Sequence, residues 1–458
     1  MNSVQTENTV SKALTIAKFG GTSVANYAAM QNCARIVAGN PGTRIVVVSA
    51  AAGITNHLVD LAHKAMTQEQ IAEVCQAITD IEYRILNELK DQNSVKTKLE
   101  DLLDEVKKLA FHEEILHRND LKDNLLSMGE RMSSLMFSAV LAEEGVDTMN
   151  FDVRKVLRTD SEFGAATPQL DVIAENAQAL LKPEIENAIV VTQGFVGADE
   201  EGRTTTLGRG GSDFTAALLA EAIGAEVCEI WTDVTGVYTT DPRITAAAHP
   251  LPELSFEEAA EMATFGAKVL HPATMEPAVR KDIKVFVGSS KEPEKGGTWI
   301  VKDCENEPPF RALTRRKEQV MVTVKTPKMM YAQGFLQQVF AIIAKHKLSV
   351  DLVTTSEISV SFTLDNPANS VAQRLNRETI AELETICDVT VEHGFDLVTV
   401  VGNHMQTSKG VSSRIFAAVS DYNLRMICFG ANPHNISFLV NEADSTEIVT
   451  VLHKELFE

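Results

Sequence analysis

Apolar positions along this chain follow two rhythms. Short, nearly unbroken apolar runs lie in Leu14–Lys18, Arg44–Ser49, Ile189–Gly197, Glu229–Tyr238 and Lys284–Ser290, each ending in glycine or small residues. This is the pattern of strands buried on both faces of a parallel sheet. Helical periodicity separates them. Residues 58–118 carry it with many charges, as a helical insertion, and Leu125–Leu141 carries it as one long amphipathic helix. Lys284–Ser290 is expected to be the last strand of the first domain, because the turn-rich stretches KEPEKGGT and DCENEPP follow it as a linker. Beyond the linker the pattern repeats at 76 residues: MVTV at Met321–Val324 aligns with LVTV at Leu397–Val400, Gly334 with Gly410, and Ser361-Phe362 with Ser437-Phe438. Each copy reads strand, glycine, helix, strand, turn, strand. Copies of this kind bury their apolar faces best by packing sheet to sheet, within one chain or across a dimer.

Two glycine-rich stretches interrupt these rhythms. In TTTLGRGGSD (Thr204–Asp213), Gly208, Gly210 and Gly211 let backbone N–H groups approach an anion, and Arg209 offers a planar fork for a carboxylate or phosphate. Ser212 is placed to cap the following helix, and Asp213 puts a carboxylate in its first turn. In LTIAKFGGTSV (Leu14–Val24) a strand-end lysine, Lys18, precedes Gly20-Gly21 and so points at whatever the loop cradles. The spacing is not that of a Walker loop, so a phosphate contact from the strand end is the reading. Ala50–Asn56 supplies small residues after another strand, where Thr55 is either a substrate hydroxyl contact or a helix cap.

Bulk properties narrow the partners. At 458 residues with 44% hydrophobic content, the chain is long enough for two to four domains. A net charge of −21 disfavours nucleic acid and anionic membrane, and a site for anionic substrates must concentrate its cations locally. The 6 cysteines are scattered without a C-x-x-C pair, as expected of reduced thiols in a cytoplasmic protein. The polar opening MNSVQTENTVSK is expected to be a flexible extension without a secretory signal, and no apolar stretch is long enough to span a membrane.

KFGGTSV and TTTLGRGGSD, with FDVRKV (Phe151–Val156), WTDVTGVYTTDPR (Trp231–Arg243) and MATFGAKVLHP (Met262–Pro272), come in one order that resembles the aspartokinases of the amino acid kinase family, in particular the lysine-sensitive, single-function bacterial group. The resemblance runs from about Leu14 to the end. It implies an α/β amino acid kinase fold, a mostly parallel sheet sandwiched by helices, over 14–292. Residues 1–13 would precede this domain as a flexible extension, and a linker over 293–312 and two α+β repeats like ACT regulatory domains, 313–390 and 391–458, would follow it. The implied activity transfers the γ-phosphoryl of ATP, with Mg²⁺, to the side chain of L-aspartate, at the head of lysine, threonine and methionine biosynthesis. Acetylglutamate, glutamate 5- and uridylate kinases share related folds, but KFGGTS and the paired C-terminal repeats disfavour them. A catalytically dead sensor is disfavoured by the intact Lys18, Glu130, Arg209 and Asp213.

By the same resemblance, Lys18 and Asp213 are catalytic, with Asp213 orienting Lys18 or coordinating the metal. Thr55, Glu130, Arg209 and Ser212 hold aspartate, Glu130 at the α-ammonium and Arg209 at the α-carboxylate. Lys18, Gly20, Gly21, Thr232, Asp233, Tyr238, Arg243 and Lys268 face ATP, and no dedicated metal cage is expected. L-lysine is the implied inhibitor, in a pocket of the first repeat made by Met329, Gly334, Phe335, Leu336, Ser349, Val350, Asp351, Ser356 and Glu357. The carboxylates of Asp351 and Glu357 suit a ligand with two ammonium groups, and Ile427 and Pro433 replace them in the second repeat. Assembly is expected as a homodimer, or a dimer of dimers, through the repeats.

Overall fold

Strands with no polar face build the first sheet. Thr15–Phe19 (β1), buried throughout, and Thr43–Val48 (β2) flank the helix Tyr27–Gly39 (α1). The helical insertion is Ile54–His63 (α2), Gln68–Leu86 (α3) and Asn93–Ala110 (α4), and the long helix Asn119–Glu143 (α5) follows. Thr148–Phe151 (β3), Leu170–Asn176 (α6), Lys182–Asn187 (α7) and Ile189–Gln193 (β4) come next. A hairpin of Val196–Ala198 (β5) and Thr204–Thr206 (β6) leads to Gly211–Ile223 (α8) and Val227–Thr232 (β7). Glu253–Ser255 (β8), Phe256–Thr264 (α9), Pro272–Lys281 (α10), Lys284–Ser289 (β9) and Gly297–Val301 (β10) continue the chain. The computed structural model describes residues 13–267, 270, 272–331, 333–365 and 375–458.

The eight-stranded sheet has the order β3-β4-β2-β1-β7-β9-β10-β8. From β3 to β9 neighbours are parallel, and β10 runs antiparallel to β9. β10 corrects the expectation that Lys284–Ser290 is the last strand and that a linker begins at 293. Its TWIV core alternates, with Thr298 and Ile300 fully buried and Trp299 partly exposed, but the glycines and charges before it hide so short a run.

Helix α5 packs closely on the loop after β2 and on α2. A Cβ on Gly129 would lie 2.7 Å from the Ala50 Cβ, so only glycine admits the helix at that depth. One buried group in the same core is out of place. Glu82 of α3 lies in the apolar stripe of Cys75, Ile78 and Ile85, fully buried, and neither oxygen finds a hydrogen-bond partner among the described residues. Burial pushes its carboxyl up to about 8. The folded chain therefore keeps a proton there that the unfolded chain releases above the ordinary carboxylate range. Stability is expected to fall as pH rises from about 4.5 to 8, by an amount on the order of 5 kcal/mol at the top of the window. Denaturant melts at pH 5 and pH 8 test this: Glu82→Leu should be more stable than wild type and lose the Glu82 share of the slope, leaving that of Glu130 and Asp123, and an unchanged slope would refute it.

The second unit comprises Tyr238–His249, Glu257–Lys268 and Cys304–Glu458, and the first comprises the rest. Its elements are Ala312–Lys325 (β11), Phe335–Lys345 (α11), Val350–Thr355 (β12), Ser359–Asp365 (β13), Arg377–Glu384 (α12), Asp388–Val401 (β14), Val411–Ala418 (α13), Leu424–Phe429 (β15), Asn435–Asn441 (β16) and Glu442–Phe457 (α14). Within the chain the two repeats do not stack sheet to sheet, which was the first of the two arrangements expected. They join edge to edge through the antiparallel pair β11–β14 in one six-stranded sheet, β12-β13-β11-β14-β16-β15. The 76-residue period survives in packing: Val322, Phe335, Val339 and Phe362 share one core, and Val398, Val411, Ile415 and Phe438 another. It survives in hydrogen bonding too, as Thr323–Ser361 and Thr399–Ser437 hydroxyl pairs at 2.8 Å each. Buried polar contacts explain why α9 and the 238–249 stretch belong here. Glu258 takes Arg311 Nε at 2.5 Å and Asn403 Nδ2 at 2.6 Å, and the Thr239 hydroxyl meets His453 Nε2 at 2.9 Å.

Candidate active site

The carboxyl ends of β1, β2, β4 and β7 gather the chemistry of the first unit, as expected where an open parallel sheet presents its loops. Lys18, the fourth residue of β1, stands between Val47 of β2 and Ile230 of β7 and is 7% exposed. Its Nζ lies 2.6 Å from Asp213 Oδ1 in the first turn of α8. A nearly buried ammonium survives because this carboxylate balances it. Both glycine loops therefore meet at one ion pair. The chain turns sharply after β1: Gly20 N donates to the Trp231 carbonyl at 3.1 Å, and a Cβ on Gly21 would lie 2.8 Å from the Ala50 oxygen. That second contact leaves room for nothing larger than glycine.

Glu130 reaches the same end of the sheet from α5. Its Oε1 accepts the Ala50 N–H at 3.1 Å, burial pushes the carboxyl up to about 7, and the nearby Lys18 charge opposes that rise. Its side chain is thus poised between neutral and charged near physiological pH. Thr55 is exposed in the first turn of α2, which is capped by Gly53 in the left-handed conformation at φ 93°, so Thr55 is not the cap. Ser212 does not cap α8 either. Gly210, at φ 72°, takes that position, and Ser212 sits inside the helix against Gly194, where a Cβ would lie 2.5 Å from its own. Arg209 is exposed on the loop and makes no ion pair among the described residues.

A carboxylate the sequence reading passed over supports this loop. Asp123 of α5 is 2% exposed, and its Oδ2 accepts the N–H groups of Thr206 at 2.8 Å and Gly164 at 2.9 Å. Its position seven residues before Glu130 puts both acids on one helix face, which is the signal that was available.

The residues expected at the nucleoside divide. Thr232 ends β7, its carbonyl accepting Ser290 N at 2.9 Å, and Asp233 follows it, exposed. Tyr238 and Arg243 lie in the second unit, where Arg243 is exposed and forks onto Asp241 at 2.7 and 2.9 Å. Lys268 and His271 lie outside the described residues.

In the first repeat Met329 lies in the 3₁₀ turn Pro327–Met330, Gly334 caps α11 at φ 82°, Phe335 is buried and Leu336 is exposed. Ser349 and Val350 lead into β12. Asp351 there pairs with Arg316 of β11 at 3.1 Å; burial raises its carboxyl and the Arg316 charge lowers it. Ser356 and Glu357 lie in the exposed turn after β12.

Comparison with known proteins agrees with this arrangement. The amino acid kinase family profile matches residues 13–289, and an ACT domain profile matches residues 398–456. The chain is 48% identical to the lysine-sensitive aspartokinase 3 of Escherichia coli (strain K12), covering 97% of this chain and 99% of that one. It is 34% identical to the chloroplastic aspartokinase 1 of Arabidopsis thaliana, covering 97% of this chain and 80% of that one. Among solved structures it matches E. coli aspartokinase III in complex with aspartate and ADP (R-state), with TM-score 0.89 and 47% identity over 97% of this chain and 100% of that one. It also matches that enzyme in complex with lysine and aspartate (T-state), with TM-score 0.83 and 48% identity at the same coverage. A family profile over more than half of its length and a relative of nearly full length at 48% identity place this chain among the aspartokinases of the amino acid kinase family.

Proposed function

We propose that this chain is an aspartate kinase, transferring the γ-phosphoryl of ATP to the side-chain carboxylate of L-aspartate to give 4-phospho-L-aspartate, with L-lysine as feedback inhibitor. The observation that carries it is the buried Lys18–Asp213 pair, 2.6 Å long, between two glycine loops at the carboxyl end of a parallel sheet. A carboxylate acceptor is already ionised at neutral pH, so the site needs no general base. Its task is to hold two anions together and neutralise charge on the transferring group. Lys18, the N–H groups of both loops and the N-terminus of α8 supply that positive potential.

Magnesium suits this donor set. A magnesium ion bound mainly by phosphate and water would need only one neighbouring carboxylate, and Asp213, which otherwise orients Lys18, is placed for it. When bound it adds charge neutralisation at the phosphates. Glu130, Thr55, Arg209 and Ser212 form the aspartate end. Lys18, Gly20, Gly21, Thr232 and Asp233 form the ATP end within the first unit. The repeat limits 313–390 and 391–458 belong to the same reading, as does a cytoplasmic setting, in keeping with six free thiols. The lysine pocket of the first repeat, with Asp351 on β12 and Glu357 in the turn after it, and a homodimer through the repeats belong to the same reading.

ADP release with aspartate, and with lysine, threonine or methionine added separately, tests the activity and the effector together. Arg209→Ala is expected to raise KM for aspartate at least about tenfold while KM for ATP moves less than about twofold, since a fork on the α-carboxylate binds ground and transition states alike. Equal shifts for both substrates would remove Arg209 from the aspartate end.

A further inference from the structure

The loop that carries Arg209 has few fastenings of its own. Arg209 is exposed, and Gly208 and Gly210 both take positive φ, at 75° and 72°. Its approach strand β6 is only three residues long and pairs with β5, which is equally short. Leu207 N donates to the Phe195 carbonyl at 2.9 Å, and Ala166 N donates to the Thr206 carbonyl at 2.9 Å, so the loop leans on the 160–167 turn. Both sides of that contact converge on one buried carboxylate oxygen, Asp123 Oδ2, through Thr206 N and Gly164 N. The same helix, α5, seats Glu130 against Ala50 seven residues later.

We infer that Asp123 is a positioning residue for the aspartate end of the site, its ionised carboxylate clamping β6 to the 160–167 turn and thereby presenting Arg209; this rests on the reading of Arg209 as the fork for the substrate α-carboxylate. Bonds to an ionised acceptor are about twice as strong as neutral ones, so the clamp depends on the charge. Burial pushes the Asp123 carboxyl up to about 6, against the two N–H groups that draw it down. Of the charged groups around it, Asp120, one turn back on α5, raises it further; the facing turn carries Asp160 and Glu162, and Arg203, which leads into β6, stacks on Phe163 of that turn. Asp160 is engaged with Glu162 N at 3.1 Å and Thr167 N at 2.9 Å, and β6 is made of threonines alone. The clamp is therefore intact above about pH 6 and weakens below it.

Asp123→Asn copies the protonated state, since its amide oxygen accepts the same two N–H groups without the charge. The ratio of KM for aspartate in this variant to that in wild type should be about ten at pH 8 and fall toward one by pH 5, with KM for ATP unchanged at every pH. Titration of Glu130 and of the substrate is common to both proteins and cancels in the ratio. A second measurement does not depend on turnover. At pH 8 trypsin should cut the Arg209–Gly210 bond of Asp123→Asn about tenfold faster than that of wild type, with other sites unaffected, because the loop opens locally. A pH-independent ratio, an equal shift in KM for ATP, or an unchanged rate of cutting at Arg209 would overturn the inference. Failure of the underlying reading looks different: Arg209→Ala would then leave KM for aspartate unchanged.

Discussion

Lys18→Ala should lower kcat by about 10² to 10³, the loss expected when one preorganised cation is removed from developing charge in a water-poor site. The effect is large because the charge balance reverses. Lys18 and Asp213 face each other at 2.6 Å with side chains 9% and 16% exposed, so removing the ammonium leaves a carboxylate aimed at the place where phosphates must sit. Breaking such a pair also destabilises the fold, by about 3 to 5 kcal/mol where burial is complete. The measurement therefore needs a melting curve beside the kinetics. Lys18→Ala combined with Asp213→Ala restores neutrality, and it should recover stability without recovering turnover. A folded Lys18→Ala enzyme within a few-fold of wild-type kcat would remove Lys18 from the reaction.

How much of this site is legible in the sequence depends on whether a feature is local. β1, β2, β4, β7 and β9 are buried on both faces, so their apolar runs announce them, and the glycines that follow β1 mark the loop. Short strands escape. β5 and β6 are three residues each, and β10 hides behind the turn-forming residues of KEPEKGG. The Ser212 cap failed because the left-handed turn at Gly210 starts α8 two residues before Ser212, and sequence alone could not choose among three glycines. Asp123 is invisible for another reason: its partners are backbone N–H groups 41 and 83 residues away, which leave no trace in residue type. The repeat was legible to the level of single cores and hydroxyl pairs. How the two copies join within the chain was not, because the register of β11 on β14 is a long-range choice between two strands that could each have faced another partner.

Asp351→Ala is expected to raise the lysine concentration for half-inhibition at least about tenfold and leave uninhibited kcat nearly unchanged, since the coupling between two binding sites is typically about 1 to 3 kcal/mol and this change removes a charge from only one of them. The structure adds a competitor to the argument. Asp351 is already held by Arg316 at 3.1 Å, so an incoming ammonium must share or displace that guanidinium. Feedback then works only if lysine binds one arrangement of this pair better than the other, because a ligand with equal affinity for two states shifts neither. Titrating lysine into wild type and Asp351→Ala by calorimetry, beside the ADP-release assay, separates binding from coupling. Binding lost together with inhibition places lysine at Asp351, whereas binding kept with inhibition lost assigns Asp351 to transmission alone. An Asp351→Ala enzyme that stays fully lysine-sensitive, or a wild type inhibited by threonine and not by lysine, would sink the effector assignment.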